Sequence, residues 1–298
     1  MAPAPLVIIN PVAGGGRAGR AIEWFTERDA VVRTTTRRGD AEEFAAAAEE
    51  DRRVIAVGGD GTVQEVVNGL LAQGTPRTFG LVPIGTGNDL ARSLGIPSAL
   101  ATAWEMATGR ETRPIDVARA TNGAGTTRWF ASAGGIGFDA QVAAAMAQRR
   151  GWQASRAGYL LTTLAELRRF SNCRVRVTID EETFEGPVLF VAAANGAYYG
   201  GGMRIAPEAR EDDGQIDVCI VGDISRLTAL RQLPNLYRGT HVRHPAVSMY
   251  AGARLRIEGA AATRIHLDGE PFGGLPLEVD LHPGALRIAA PRTIPATR

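Results

Sequence analysis

Lysine is missing from the 298-residue chain: all 33 basic side chains are arginine, set against 32 acidic ones. That absence excludes whole reaction classes. A Walker-type NTPase needs the Lys of its phosphate loop, and a protein kinase needs the Lys that clamps ATP. Schiff-base aldolases and pyridoxal-phosphate enzymes need a Lys amine. A GC-rich coding sequence, which favours Arg, Ala, Gly and Pro codons, accounts for the loss. Cysteine is nearly as scarce. Cys173 and Cys219 are too few for a disulfide framework and are not spaced as a zinc site. Both fall in apolar, strand-like runs and read as core residues in a reducing compartment. No apolar run approaches the ~18 residues of a membrane span. The run Leu6–Ile9 stops at Asn10-Pro11 with no basic region before it, unlike a signal peptide or anchor. The net charge of +1 gives no steering toward nucleic acid. The cytoplasm is the expected location.

What is present has two grammars. Up to about residue 115, strand and helix signals alternate. Leu6–Ile9, Val31–Thr34, Val54–Val57 and Phe79–Pro83 read as strands. Helices are expected around Arg20–Arg28, Ala41–Glu50, Val63–Leu71, Asn88–Leu94 and Pro97–Thr108. Such alternation predicts a parallel sheet covered by helices on both faces. After Ile115-Asp116, one helical block is expected from about Gln141 to Phe170. The rest reads as short strands: Arg174–Ile179, Val188–Ala193, Ile216–Val221, Arg254–Glu258, Arg264–Leu267, Leu277–Leu281 and Ala285–Ala289. This pattern predicts a β-sandwich or open barrel. The fold class is therefore α/β plus all-β. Domains are expected over 1–117 and 118–298, with the last strand free to return to the first domain.

Three glycine loops follow strands of the first half. The sharpest is Gly58-Gly59-Asp60-Gly61-Thr62-Val63, between a buried strand and a helix. Ligands in parallel sheets sit at strand carboxyl ends, where helix N-termini offer unpaired N–H groups. Asp60 is unusual there, because a bare carboxylate repels phosphate. It fits if Mg²⁺ or its water shell lies between; otherwise it is a turn-capping Asp. Gly85-Thr86-Gly87-Asn88-Asp89 and Asn10-Pro11-Val12-Ala13-Gly14 repeat the strand–glycine–helix pattern, with Arg17 close behind the latter. Together they predict a nucleotide site made of backbone N–H groups, hydroxyls and Mg²⁺.

Two acidic segments lie in the second half. Asp268-Gly269-Glu270 follows a strand. Asp-Gly is a hairpin turn signal, but Glu270 is not explained by a turn, and paired carboxylates can take a proton from a hydroxyl. The loop Ala206–Asp217 carries five acids, a density that suits Mg²⁺ or Ca²⁺, although the spacing alone favours a solvated Asp-Gly turn.

In this order, these pieces resemble the diacylglycerol kinase catalytic family, soluble lipid kinases that include sphingosine kinases and bacterial diacylglycerol kinases. The resemblance rests on Asn10-Pro11 with Gly14, Gly58-Gly59-Asp60-Gly61-Thr62, Gly85-Thr86-Gly87-Asn88-Asp89, Ala206-Pro207 with Asp212-Asp213-Gly214, and Asp268-Gly269-Glu270. It spans nearly the whole chain. It implies an N-terminal three-layer α/β nucleotide-binding domain, similar to 6-phosphofructokinases and NAD kinases, and a C-terminal β-sandwich, with ATP in the cleft between. It implies that Asn10, Pro11, Val12, Ala13, Gly14, Thr35, Gly58, Gly59, Asp60, Gly61, Thr62, Val63, Gln64, Glu65, Gly85 and Thr86 surround the nucleotide. It implies a structural Mg²⁺ on the Asp213 side chain and the main-chain carbonyls of Arg210 and Gln215. A water network would link that metal to Asp60, Asp116 and Glu270. The proton acceptor would be Asp268 or Glu270, with Asp60 supporting catalysis.

Gln64 stands where the family has Asn, and Arg17 where Lys is common. No departure touches a carboxylate. The implied activity is ATP-dependent phosphorylation of a lipid hydroxyl, with diacylglycerol yielding phosphatidic acid. A sphingoid base or other hydroxy-lipid is the alternative acceptor; an NAD kinase and a non-catalytic nucleotide-binding module are the competing classes. Expected partners are a membrane-borne lipid met by peripheral contact and a second copy as a homodimer, with no nucleic acid. Seven Arg between Gln148 and Arg176, interleaved with Trp152, Tyr159, Leu160 and Leu164, offer an interfacial surface or a solvated helix. Phe138, Tyr198, Tyr199 and Phe272 are candidates for an acyl slot or for core, and His241 and His244 have chelating spacing.

Overall fold

The computed structural model describes residues 3–72, 74, 77–147 and 156–291. The chain forms two compact units, residues up to Val117 together with those from Pro283, and Ala118–His282.

In the first unit four strands, β1 (Leu6–Ile9), β2 (Val31–Thr34), β3 (Val54–Gly58) and β4 (Thr78–Pro83), pair in parallel in the order β4-β3-β1-β2. Every residue of β1 and β3 is buried, as a strand covered on both faces must be. Phe25 and the helix Leu100–Thr108 cover one face, over Val7, Ile9, Ile55, Val57 and Val82. The helices Asp40–Ala46 and Asp60–Leu71 pack on each other; a Cβ on Gly69 would lie 2.3 Å from the Glu42 carbonyl oxygen. The helix Asp60–Leu71 starts three residues before the expected Val63. Its Asp60-Gly61-Thr62 segment is already helical, and an acid in the first turn favours the positive end of the helix dipole. Buried Val63, Val66, Val67 and Leu70 give the i, i+3, i+4, i+7 stripe of a helix lying on a core.

The second unit is mainly antiparallel. Its strands are β6 (Thr127–Phe130), β7 (Ala133–Gly137), β8 (Cys173–Ile179), β9 (Glu182–Ala194), β10 (Ile216–Gly222), β11 (Val247–Gly252), β12 (Arg254–Gly259), β13 (Arg264–Leu267) and β14 (Glu270–Gly274). Two longer strands, β5 (Arg113–Asn122) and β15 (Leu277–Ile288), each run from one unit into the other. The main path within the second unit is β14-β13-β7-β9-β8-β12-β15, with β10 on β9 and β11 on β10. Val175, Val177 and Ile179 of β8 point inward between exposed Arg174 and Arg176, the period-two pattern of a sandwich wall. The other face of β9 and β10 is covered by helices, burying Phe138, Leu167, Leu189, Phe190 and Cys219.

Three expectations change here. The helix Arg226–Arg238 lies in a stretch expected to be all strand. Its Ser225 side chain accepts from the Thr228 N–H as an N-cap, and Gly239, at φ 70°, ends it. The segments Leu277–Leu281 and Ala285–Ala289 are one strand running through Pro283-Gly284, and Gly284 donates its N–H to Asp116. Within the Gln141–Phe170 block the described helices are Phe138–Ala147 and Arg156–Leu167.

Candidate functional site

The three glycine loops meet at the carboxyl ends of the parallel strands. Gly58 is the hub: its carbonyl accepts the N–H groups of Ile84 and Gly85 at 2.8 and 3.1 Å. Gly59 and Gly85 approach backbone to backbone, so a Cβ on Gly85 would lie 2.4 Å from the Gly59 Cα. The first loop joins them. Gly14, Gly15 and Gly16 all have positive φ, a run that only glycine makes cheaply, and a Cβ on Gly14 would strike the Ile84 carbonyl oxygen. Arg17 donates to the carbonyls of Gly14 (3.0 Å) and Ile84 (3.2 Å), tying loop one to loop three. Asn10 Oδ1 accepts from the Val12 N–H, and the Asn10 N–H donates to Val57. Thr62 packs its side chain against the Gly58 Cα, and the Val63 N–H donates to Gly59.

Asp60 has a structural partner that the sequence does not show. Its carboxylate accepts the N–H groups of Asn88 (2.8 Å) and Asp89 (2.6 Å), clamping loop three onto loop two. Burial pushes the Asp60 carboxyl above the usual carboxylate range, against the pull of those N–H groups and Arg92. Asn88 Oδ1 is buried beside Gly85 with no hydrogen-bond partner among the described residues. A cradle of bare glycine backbone holding a buried, unsatisfied acceptor fits a ligand that brings its own polar atoms or cation.

The remaining nucleotide candidates are tied to the same frame. Thr35, buried at the end of β2, donates its N–H to Ile9. Glu65 accepts the N–H groups of Gly39 (3.0 Å) and Ala41 (3.2 Å), capping the helix Asp40–Ala46 from its neighbour. Gln64 is buried, and its carbonyl accepts the Asn68 side-chain amide. Asp116 is buried and held by the Gly284 N–H at 2.8 Å.

In the second unit Asp268 and Gly269 are the two central residues of the β13–β14 hairpin, with φ of 48° and 83°. Positive φ at both positions is the primed turn that matches sheet twist. The Asp268 side chain does more than turn. It accepts the backbone N–H groups of Ala131 (3.1 Å), Ser132 (3.0 Å) and Ala133 (3.0 Å), anchoring the start of β7. Glu270, half-buried, is the first residue of β14, directly opposite Leu267.

The acidic loop has a smaller frame. Asp213 Oδ1 accepts the Gln215 N–H at 3.1 Å, and the Arg210 guanidinium meets Asp212 at 3.3 Å. Burial, then the charges of Asp213 and Glu208, push the Asp217 carboxyl up to about 6. That concentration of negative charge fits the implied cation, with Asp213 and the Arg210 and Gln215 carbonyls as oxygen donors. Among the described residues no three His, Cys, Asp or Glu side chains group as a metal site.

Several other candidates are resolved individually. Phe138 and Tyr199 line an apolar cavity with Leu160, Leu167, Met203 and Leu236. Phe272 belongs to the sandwich core, and Tyr198 lies under the Arg204 guanidinium. His241 is buried with its Nε2 bonded to the Ile205 carbonyl, and His244 Nδ1 accepts the Ala246 N–H. Cys219 is buried, but Cys173 is only half-buried. Of the Arg-rich segment, Arg149, Arg150 and Trp152 lie outside the described residues. Arg174 and Arg176 are on β8, paired with Glu185, rather than on a helix.

Both parts of the chain match known families. The model of the diacylglycerol kinase catalytic domain matches residues 4–120, and that of the YegS C-terminal NAD kinase beta sandwich-like domain matches 132–290. The chain therefore belongs to the family of diacylglycerol kinases and YegS-like lipid kinases. It is 30% identical to a diacylglycerol kinase of Mycobacterium tuberculosis over 300 residues, covering 96% of this chain and 94% of that one. It is 32% identical to a probable YegS-like lipid kinase of Pseudomonas aeruginosa, covering 95% and 91%. Among solved structures, a putative diacylglycerol kinase from Bacillus anthracis matches with a TM-score of 0.81 at 25% identity, covering 98% and 96%.

Proposed function

We propose that this chain transfers the γ-phosphoryl group of ATP to the hydroxyl of a lipid, with diacylglycerol as acceptor and phosphatidic acid as product. The observation that carries the acceptor class is the apolar cavity of the second unit. Phe138, Tyr199 and Met203 line it, and among the described residues Asp139 is the one charged side chain in its wall. At about 50 Å³ the cavity is an apolar foothold for part of an acyl chain, a chemistry that a lipid needs and NAD does not. The same unit carries the Asp268-Gly269-Glu270 turn, which a non-catalytic nucleotide module would not need.

Phosphoryl transfer depends on positioning and on neutralising charge. Those backbone N–H groups of the Asn10–Gly14, Gly59–Thr62 and Gly85–Asn88 loops that the frame does not already use hold the phosphates, and Asp60 keeps the second and third of these loops in register. Bound Mg²⁺ supplies charge neutralisation; Asp213 and the Arg210 and Gln215 carbonyls are the residues that would hold it in the second unit. As the lipid oxygen bonds the γ-phosphorus, the bridge to the β-phosphate breaks and ADP leaves. The hydroxyl proton passes to a carboxylate. Asp268 already accepts three backbone N–H bonds, so we assign the proton acceptor to Glu270.

The lipid must be taken from a bilayer. Among the described residues no helix is long and apolar enough to cross one. Leu160 and Leu161 on one helix and Leu227, Leu230 and Tyr237 on another are exposed large apolar side chains. With Arg226, Arg231 and Arg238 they suit peripheral contact with anionic lipid. The test is a labelled-ATP assay offering diacylglycerol, sphingosine, ceramide and NAD in turn. Label on diacylglycerol is the expected result; label on NAD alone, or on nothing, contradicts the proposal.

A further inference from the structure

The turn that presents Glu270 is joined to the apolar cavity by a buried histidine–carboxylate pair. His266 is the penultimate residue of β13, two before Asp268. Its Nε2 lies 3.1 Å from Asp139 Oδ2, and both side chains are almost wholly buried, at 3% and 4% exposure. Its Nδ1 accepts the Gly269 N–H at 3.4 Å. Because Nδ1 receives that proton donor, it carries the lone pair, and the ring proton sits on Nε2, facing Asp139. Asp139 is fixed in turn: its Oδ1 accepts the Ala140 N–H at 2.7 Å, at the start of the helix Phe138–Ala147. Tyr199 stacks on the imidazole, 6.0 Å between centroids and 18° between planes. Gly135 leaves the space: a Cβ there would lie 2.3 Å from Asp139 Oδ2 and 3.2 Å from His266 Nε2.

Burying a carboxylate is costly unless it is bonded, and burial does push Asp139 above the usual carboxylate range, with its contact to His266 as the chief opposing influence. A fold that needed only to fill this space would place apolar side chains here. Both ends of the pair instead point at functional groups. Asp139 and Tyr199 are in the cavity wall, and Gly269 is the residue before Glu270. We propose that His266 is a positioning residue. Held in one tautomer by Asp139, it fixes the Gly269 peptide and thereby the approach of the Glu270 carboxylate to the acceptor hydroxyl. This rests on the assignment of Glu270 as proton acceptor.

Two substitutions separate the ends of the ring. His266→Asn places an amide oxygen near the Nδ1 position and can still accept from Gly269. His266→Gln reaches toward Asp139 but abandons Gly269. The expected result is that His266→Gln lowers kcat by about 10²-fold, the scale of a small misplacement, with KM for ATP and the melting temperature near those of the parent. His266→Asn should recover most of that loss. Parent-like kcat in His266→Gln overturns the proposal, as does an equal loss in His266→Asn or a loss accompanied by a lowered melting temperature. Should His266→Gln not fold, Asp139→Asn carries the test: it is isosteric and removes the charge that holds the ring proton, so an unchanged kcat overturns the proposal. Glu270→Gln is measured alongside. If it keeps full turnover, the assignment of the proton acceptor fails and this proposal with it; if it alone is inactive, only the role of His266 is wrong.

Discussion

The phosphate loops and the carboxylate turn are held in place by opposite means. In the first unit the loops are held by contact between bare backbones: Gly59 against Gly85, Gly14 against Ile84, with Asp60 and Arg17 pinning the edges. In the second unit side chains do the holding: Asp268 gathers three backbone N–H groups of the segment leading into β7, and His266 accepts that of Gly269. A methyl group added to the first region should therefore spoil ligand binding while the unit still folds. A carboxylate removed from the second should spoil the fold. On the proposed function, one short motif holds a residue for chemistry, Glu270, and another for architecture, Asp268, two positions apart.

The sharpest way to break this contrast is Glu270→Gln. It should lower kcat by about 10²- to 10⁴-fold, the usual contribution of a general base, with an unchanged melting temperature. Matching losses of stability in Glu270→Gln and Asp268→Ala would erase the distinction between them. Next is Gly85→Ala. Its methyl meets the Gly59 backbone, so loops two and three must part. ATP affinity measured by calorimetry should fall by about 10²-fold, while circular dichroism stays that of the parent. Asp268→Ala should cost about 3 kcal/mol in urea unfolding, because it strands buried N–H donors at Ala131, Ser132 and Ala133. An unchanged urea midpoint would show that the anchor is dispensable. Removing Mg²⁺ with a chelator should lower stability by about 1–3 kcal/mol through lost binding. Asp213→Ala should make the protein indifferent to the chelator. Arg17→Lys should be the mildest change. A Lys cannot span both carbonyls as the guanidinium does, and ATP affinity should drop about threefold.

How far the sequence could be read follows from the same contrast. The glycine loops were legible because each is local: strand, glycine run and helix are contiguous, and the parallel register puts successive strand ends together. The buried strands β1 and β3 were likewise plain as short apolar runs. The roles of Asp60 and Asp268 were not legible, since their partners lie 28 to 29 and 135 to 137 residues away and are backbone N–H groups, which carry no side-chain signature. The helix Arg226–Arg238 was missed because a proline at 234 and polar residues mask its periodicity; its start signal, Ser225, stood alone. The two pieces of β15 read as separate strands because Pro283-Gly284 is a turn signal that tertiary pairing overrides. His266 and Asp139, 127 residues apart, gave no signal at all beyond the closeness of His266 to the turn.

The central claim is tested most directly by following the γ-phosphoryl group from labelled ATP to diacylglycerol in mixed micelles, with the parent protein and Glu270→Gln side by side. The account predicts labelled phosphatidic acid that depends on Mg²⁺ and is lost in Glu270→Gln while ATP still binds. Undiminished label in Glu270→Gln, or a folded, ATP-binding parent that labels no lipid, would contradict it.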